Sequence, residues 1–268
     1  MSLTPSLPPS FPPFSALVTR LRAAGCVFAE DEAQLLAAAA ATPAELTVMV
    51  ERRAAGLPLE HVIGWAEFCG LRIAVDSGVF VPRRRTEFLV ERAVALTGPG
   101  AVVVDLCCGS GALGAALAAA VGGVDLHAAD IDPAAVRCAR RNIAAAGGRA
   151  YRGDLFDPLP TALRGRVDVL LANVPYVPTG EVELLPAEAR LHEARVALDG
   201  GADGLDVLRR VTAGATHWLA PGGHLLFETS ERQVPGALRT VEDAGLVPEV
   251  AECEERYAVV LTGTRPLG

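Results

Sequence analysis

Apolar residues recur at helical spacing over about 14–24 and 30–41, and again through "TPAELTVMVERRAAG". In that stretch Thr42 can cap, Pro43 suits the first helical position, Glu45 completes a capping box and Gly56 supplies a stop. The pattern predicts a helical domain over 14–63. From "WAEFCGLRIAVDSGVFVP" the texture shortens to strands, with Cys69-Gly70 and Ser77-Gly78 as turns. This predicts a β-hairpin linker over 64–85, followed by a helix over roughly 86–97. After Gly100, continuous apolar runs alternate with helical ones. Strands are expected near 101–105, 124–129, 148–152, 167–172, 222–228, 246–252 and 256–262. Such alternation implies helices on both faces of a mostly parallel sheet. The last two strands are joined only by "ECEER", too short for a crossover helix, and should form an antiparallel hairpin at the sheet edge. The fold class expected for 86–268 is therefore α/β, a doubly wound, seven-stranded, Rossmann-like sheet with its last strand reversed.

Composition narrows the setting. Of 268 residues 51% are hydrophobic, enough for a sizeable core, yet no apolar run is long enough to span a bilayer. The opening "MSLTPSLPPSFPPF" is Pro/Ser-rich rather than basic-then-apolar. It reads as a disordered tail over 1–13 on a cytoplasmic protein. The formal charge is −8, and every basic side chain apart from histidine is arginine. An acidic chain without a basic stripe is a poor duplex binder, so no stable nucleic-acid partner is expected, and no membrane. The one basic run, Arg83-Arg84-Arg85, reads as a solvated turn before a helix in preference to an RNA-associated contact. Six scattered cysteines contain no C-x-x-C pair, and the histidines show no paired spacing, so no metal is expected.

The candidate chemistry begins at "VVVDLCCGSGALG", a strand, a tight loop and a helix. Gly109, Gly111 and Gly114 satisfy G-x-G-x-x-G, and Asp130 closes the next strand, so a nicotinamide or flavin enzyme is one reading. Asp105 shifts the balance. A carboxylate at the strand end, four residues before Gly109, would repel a pyrophosphate and suits a ligand with a cationic end. S-adenosyl-L-methionine carries a sulfonium and an ammonium group and no phosphate. Asp132-Pro133 reads as a helix cap. Asp154 and Leu155, just after the third strand, could accept from an adenine amino group and donate to its ring.

"DVLLANVPYVP" is a buried strand that stops at Asn173. A planar NH₂ is a weak nucleophile because its lone pair is delocalised. Two acceptors that take both N–H bonds can turn that lone pair toward a methyl carbon. The Asn173 side-chain oxygen and the Val174 carbonyl fit the task, Pro175 biases residue 174 toward an extended conformation, and Tyr176 can pack on the flat group. Catalysis would then be positioning for in-line displacement, without metal or covalent intermediate.

With these residues in place, the chain resembles the protein-(glutamine-N5) methyltransferase family (the HemK or PrmC type) over nearly its whole length. The matching pieces include "PLEHVIGWAEFCGLRIAVDSGVFVPRRRTEFLVE", "DLCCGSGALG", "AADIDPAAVRCARRN", "GDLFDPLP", "NVPYVP" and "LAPGGHLLFET". The resemblance implies that the helical domain docks class 1 peptide-release factors and that the acceptor is the glutamine of their Gly-Gly-Gln loop. It implies that Cys107, Cys108, Gly109, Ser110 and Gly111 line the methyl donor, with Asp130 at its ribose, Asp154 with Leu155 at its adenine, and Asp105, Ile131 and Asn173 also in the donor site. Asn173, Val174, Pro175 and Tyr176 would hold the amide. Three departures stand out. Val174 replaces a proline, Cys107-Cys108 replace Gly-Thr, and Arg84-Arg85 stand where the family has proline and an acid. They suggest a divergent branch. The rival readings are an adenine-N6 methyltransferase, an oxidoreductase that leaves Asn173 to Tyr176 unexplained, and a silent release-factor-binding module.

Overall fold

A computed structural model describes residues 12–267; the proline-rich tail expected over 1–13 falls almost wholly outside them. Four helices come first: α1 (Phe14–Ala23), α2 (Ala29–Ala39), α3 (Pro43–Ala54) and α4 (Leu59–Ile63). The first three follow the apolar spacing; the short α4 was not legible in it. Thr42 Oγ1 accepts from the Glu45 N–H at 3.1 Å, but Glu45 reaches back to the Ala41 N–H rather than to that of Thr42. The four helices close on a core of their own that includes Leu21, Leu36, Leu46 and Val62. No helix of the described residues is long and apolar enough to cross a membrane.

A two-stranded antiparallel hairpin follows, β1 (Trp65–Phe68) and β2 (Leu71–Ala74), then α5 (Glu87–Leu96). The main unit alternates β3 (Val102–Leu106), α6 (Ala112–Val121), β4 (Asp125–Asp130), α7 (Pro133–Asn142), β5 (Arg149–Arg152) and β6 (Val167–Ala172). A long connection containing the short α8 (Ala187–His192) leads to α9 (Asp206–Trp218), β7 (Leu219–Thr229), α10 (Val234–Asp243), β8 (Val247–Cys253) and β9 (Ala258–Thr264). The sheet order is β5-β4-β3-β6-β7-β9-β8, with β9 antiparallel to both neighbours. This is the doubly wound sheet with a reversed last strand that the alternation predicts, and it is the fold of class I S-adenosylmethionine-dependent methyltransferases.

Two packing facts position the site. β3 is buried at every residue, as a central parallel strand covered on both faces must be. The chain winds outward from β3 through β4 to β5, then restarts on the other side with β6. The parallel register opposes Leu106 to Ala172, so the loops leaving β3 and β6 emerge side by side. Ligands of open α/β sheets bind at such a switch point, outside the carboxyl ends of the strands. The hairpin is tied to this edge by Asn142 at the end of α7. Its side chain pairs with both backbone polar groups of Ala74, at 2.9 Å each, and donates to the Ser110 carbonyl at 2.8 Å.

Candidate active site

A cavity of about 1060 Å³ opens over the switch point. One wall is the loop Cys107–Ser110 with Asp130, Ile131, Asp154 and Leu155; another is Asn173–Tyr176. The predicted set is thus brought together except for two residues. Gly111 sits behind the wall. It holds φ +75° and starts α6, and a Cβ there would lie 3.0 Å from that of Ala139, so glycine lets α6 pack against α7. Asp105 is also behind the loop and only 1% exposed. Its Oδ2 accepts from the Gly114 N–H at 3.0 Å and its Oδ1 has no partner among the described residues. Burial, with a further push from Asp130, raises its carboxyl to about 7.

On the donor side, Asp130 is fixed by backbone N–H groups. Gly109 donates to Oδ2 at 2.8 Å and Asp132 to Oδ1 at 2.9 Å. Burial nevertheless holds its carboxyl above the usual range. Asp132 caps α7 through the Ala134 N–H, as its place before Pro133 predicts. Asp154 is not free: Arg210 grips its Oδ2 at 2.6 Å. Leu155, in a left-handed turn at φ +46°, faces the cavity with an N–H that has no protein acceptor among the described residues. Cys107 is left-handed too, at φ +53°, a conformation that glycine would adopt without strain. Its thiol is pushed well above the ordinary range by burial and then by Asp130 and Asp105, so it stays protonated.

On the acceptor side, the Asn173 side chain and the Val174 carbonyl make no hydrogen bond with any described residue. Val174 itself is 3% exposed and packs in the core cluster that includes Ala172 and Leu205. The departure from proline at 174 is thus absorbed by the core and leaves the carbonyl in place. The backbone just beyond is held firmly. Gln233 Nε2 donates to the Tyr176 carbonyl at 2.8 Å and to that of Asp203 at 3.0 Å. Gly200 and Gly204 lie against residues 175–176 so closely that a Cβ at 200 would sit 2.6 Å from the Pro175 oxygen.

The match to known proteins follows this geometry. The family described as the methyltransferase small domain matches residues 70–205. The release factor glutamine methyltransferase of Geobacter sulfurreducens is 40% identical over 67% of this chain and 63% of its own length. That of Gloeobacter violaceus is 40% identical over 70% of this chain and 71% of its own. The chain belongs to the release factor glutamine methyltransferase family. A further relative, the 4-amino-L-phenylalanine/4-methylamino-L-phenylalanine methyltransferase of Streptomyces pristinaespiralis, is 37% identical over 69% of this chain and 65% of its own. Among solved structures, a methyltransferase from Pyrococcus furiosus shares the fold, with TM-score 0.56 and 17% identity over 74% of this chain and 90% of that one.

Several residues of this methyltransferase's site escaped sequence reasoning. The Arg83–Arg85 run is the expected turn before α5, with Arg84 and Arg85 exposed, but two of its arginines are also paired with buried acids. Arg83 pairs with buried Glu193 at 2.6 Å and Arg85 with buried Glu228 at 2.7 Å. Both arginines line the cavity. The signal available was Glu228 itself, an acid closing the apolar run "HLLFET". The connection over 179–198 also lines the cavity. Three of its carboxylates are clasped from different elements: Glu181 by Arg232 at 2.9 Å, Glu188 by Arg53 of α3 at 2.6 Å, and Glu193 by Arg83.

Proposed function

We propose that this methyltransferase moves a methyl group from S-adenosyl-L-methionine to the side-chain amide nitrogen (N5) of a glutamine in a protein. The proposed acceptor is the Gly-Gly-Gln loop of a class 1 peptide-release factor, which places the reaction in the cytoplasm. The observation that carries the reading is the pair of unpartnered acceptors, Asn173 Oδ1 and the Val174 carbonyl, beside the donor loop across the switch point. The names of two relatives, one acting on a release-factor glutamine and one on an aromatic amine, support an acceptor whose NH₂ lone pair is delocalised.

The wall residues fit the donor. Asp130 presents a fixed carboxylate for ribose hydroxyls, and the Leu155 N–H is open to a ring nitrogen of adenine. Asp130, which is held by backbone N–H groups and has no cation paired with it among the described residues, disfavours a pyrophosphate beside it and favours a cationic ligand. The bound donor supplies an electrophilic methyl on sulfur. Everything else is positioning by the chain. Asn173 and Val174 accept the two N–H bonds and turn the nitrogen lone pair toward the methyl, while Tyr176 packs against the amide plane. The charged nitrogen then sheds its proton to water, so no general base is required. The helical domain docks the acceptor protein, and 179–198 closes over the bound loop.

The test is transfer of labelled methyl to purified class 1 release factor, with a Gln→Ala variant of its Gly-Gly-Gln loop alongside. Label on the wild-type factor alone supports both reaction and acceptor. Label on neither, with donor binding intact by calorimetry, overturns the acceptor and sends the search to 4-amino-L-phenylalanine and then to adenine. Absence of donor binding as well overturns the enzyme reading.

A further inference from the structure

Tyr176 is held at both ends, and the second hold lies outside the groups already given a part in transfer. Its hydroxyl donates to Glu228 Oε1 at 3.1 Å and accepts from Arg85 Nη2. Arg85 Nε donates to the same Oε1 at 2.7 Å, while Thr86 Oγ1 donates to Oε2 at 2.6 Å. The Arg85 guanidinium also sits 5.9 Å from the Tyr176 ring centre. Glu228 is 3% exposed at the end of β7, and Arg85 is the cation that neutralises it. Four side chains from three elements thus form one closed network in which every polar atom of Glu228 and the Tyr176 hydroxyl is satisfied. Such networks rigidify when complete and destabilise when half-made.

We propose that Arg85 and Glu228 are positioning residues for methyl transfer, acting through the Tyr176 hydroxyl to hold the Asn173–Tyr176 loop in its amide-binding geometry. This deepens the reading of the site given above and rests on it. With its carbonyl anchored by Gln233 and its hydroxyl by the ion pair, Tyr176 loses the freedom to swing, and the peptide bearing the Val174 oxygen is held with it. The pairing also settles charge. The accepting nitrogen becomes positive as the methyl arrives, and an unpaired Arg85 on the cavity wall would oppose that. Glu228 cancels it without entering the cavity.

The experiment uses the full chain and the variants Arg85→Met, Glu228→Gln and Tyr176→Phe, singly and in pairs. Turnover, acceptor KM, donor affinity by calorimetry and melting temperature are read for each. Each single variant should lower kcat about 10- to 100-fold, with donor affinity close to wild type; Arg85→Met strands the buried Glu228 carboxylate and should also lower the melting temperature, whereas Glu228→Gln and Tyr176→Phe should lower it less. Arg85→Lys should recover part of the loss that Arg85→Met causes. Added to Tyr176→Phe, Arg85→Met should cost less than about twofold more, because the hydroxyl it holds is already gone. Losses that simply add, or unchanged kcat in Arg85→Met, would overturn the proposal. Tyrosine-ring carbon NMR separates this outcome from failure of the functional reading. The chain has three tyrosines, so the Tyr176 signal is assigned by its loss in Tyr176→Phe. It should move in Arg85→Met and in Glu228→Gln even if wild-type enzyme methylates no acceptor tried. A Tyr176 signal unmoved by both sinks the clamp whatever the activity.

Discussion

Asn173 bears the heaviest demand on any single side chain. In the proposed reaction its oxygen accepts from the substrate, and no described residue competes as a donor. Replacing it with alanine should leave donor affinity unchanged and lower turnover at least about 100-fold, since the amide would no longer be oriented. Calorimetry beside a transfer assay checks both halves. Asp130→Ala should do the reverse, weakening donor binding about 10- to 100-fold by removing charge-assisted hydrogen bonds, and the same calorimetry reads it. Asp105 makes a prediction about pH. Its folded carboxyl, at about 7, lies above the unfolded value of about 3.9. The native state therefore holds the proton more tightly, and stability falls as pH rises between those values. Asp105→Asn removes that dependence. Its stability relative to wild type should rise from pH 5 to pH 8, on the order of a few kcal/mol across the window. Calorimetric unfolding at the two pH values would show it, and a constant difference would refute it. Asn173 was legible in the sequence because an amide abruptly ends a buried strand. Glu228 was not, because a glutamate at the end of a strand usually marks the return to solvent.

At the scale of elements, the 179–198 connection is held by buried Val182, Ala189 and Leu198, by the Ala194 N–H on the Gly78 carbonyl, and by ion pairs. Its clasps join it to α3, to the 78–85 segment and to the turn after β7, while Leu184, Leu191 and Val196 remain exposed. Half-exposed pairs contribute at most about 1 kcal/mol each and weaken with salt. Amide exchange over 179–198 should therefore accelerate in Glu188→Ala and at high ionic strength, with global stability nearly unchanged. Arg53→Ala should behave differently. Arg53 is also the partner of buried Glu32, at 2.6 Å, so its loss strands a buried charge. Chemical denaturation should register about 3–5 kcal/mol. The capping of α3 and α7 could be read from a few neighbouring letters. The clasp could not, because Arg53 and Glu188 are 135 residues apart and neither flanking sequence is unusual.

For the whole molecule, the helical domain has its own hydrophobic cluster and meets the remainder at α4, the hairpin and the Arg53 clasp. His61 of α4 bonds the Val79 carbonyl at 2.8 Å, carrying that junction to the cavity's edge. A chain lacking residues 1–63 should keep donor affinity within a few-fold, because the groups that hold Asp130 and Asp154 are Gly109, Asp132 and Arg210, and should lose transfer to the protein acceptor. Retained transfer would show that docking lies elsewhere.

The sequence by itself determined the alternation of strands and helices, the edge hairpin, the helix caps, and the line of Asp130, Asp154 and Asn173 along the carboxyl ends of the strands. These depend on periods of two to four residues and on chain direction, both visible locally. Only the tertiary structure decided that Leu106 lies opposite Ala172, that Asp105 turns behind the cavity wall, and that Arg85 meets Glu228 across 143 residues of chain. Those outcomes depend on strand order, register and the route of a long connection. The partner of a charge is chosen by which surfaces the whole fold brings together, and nothing in its neighbours specifies that.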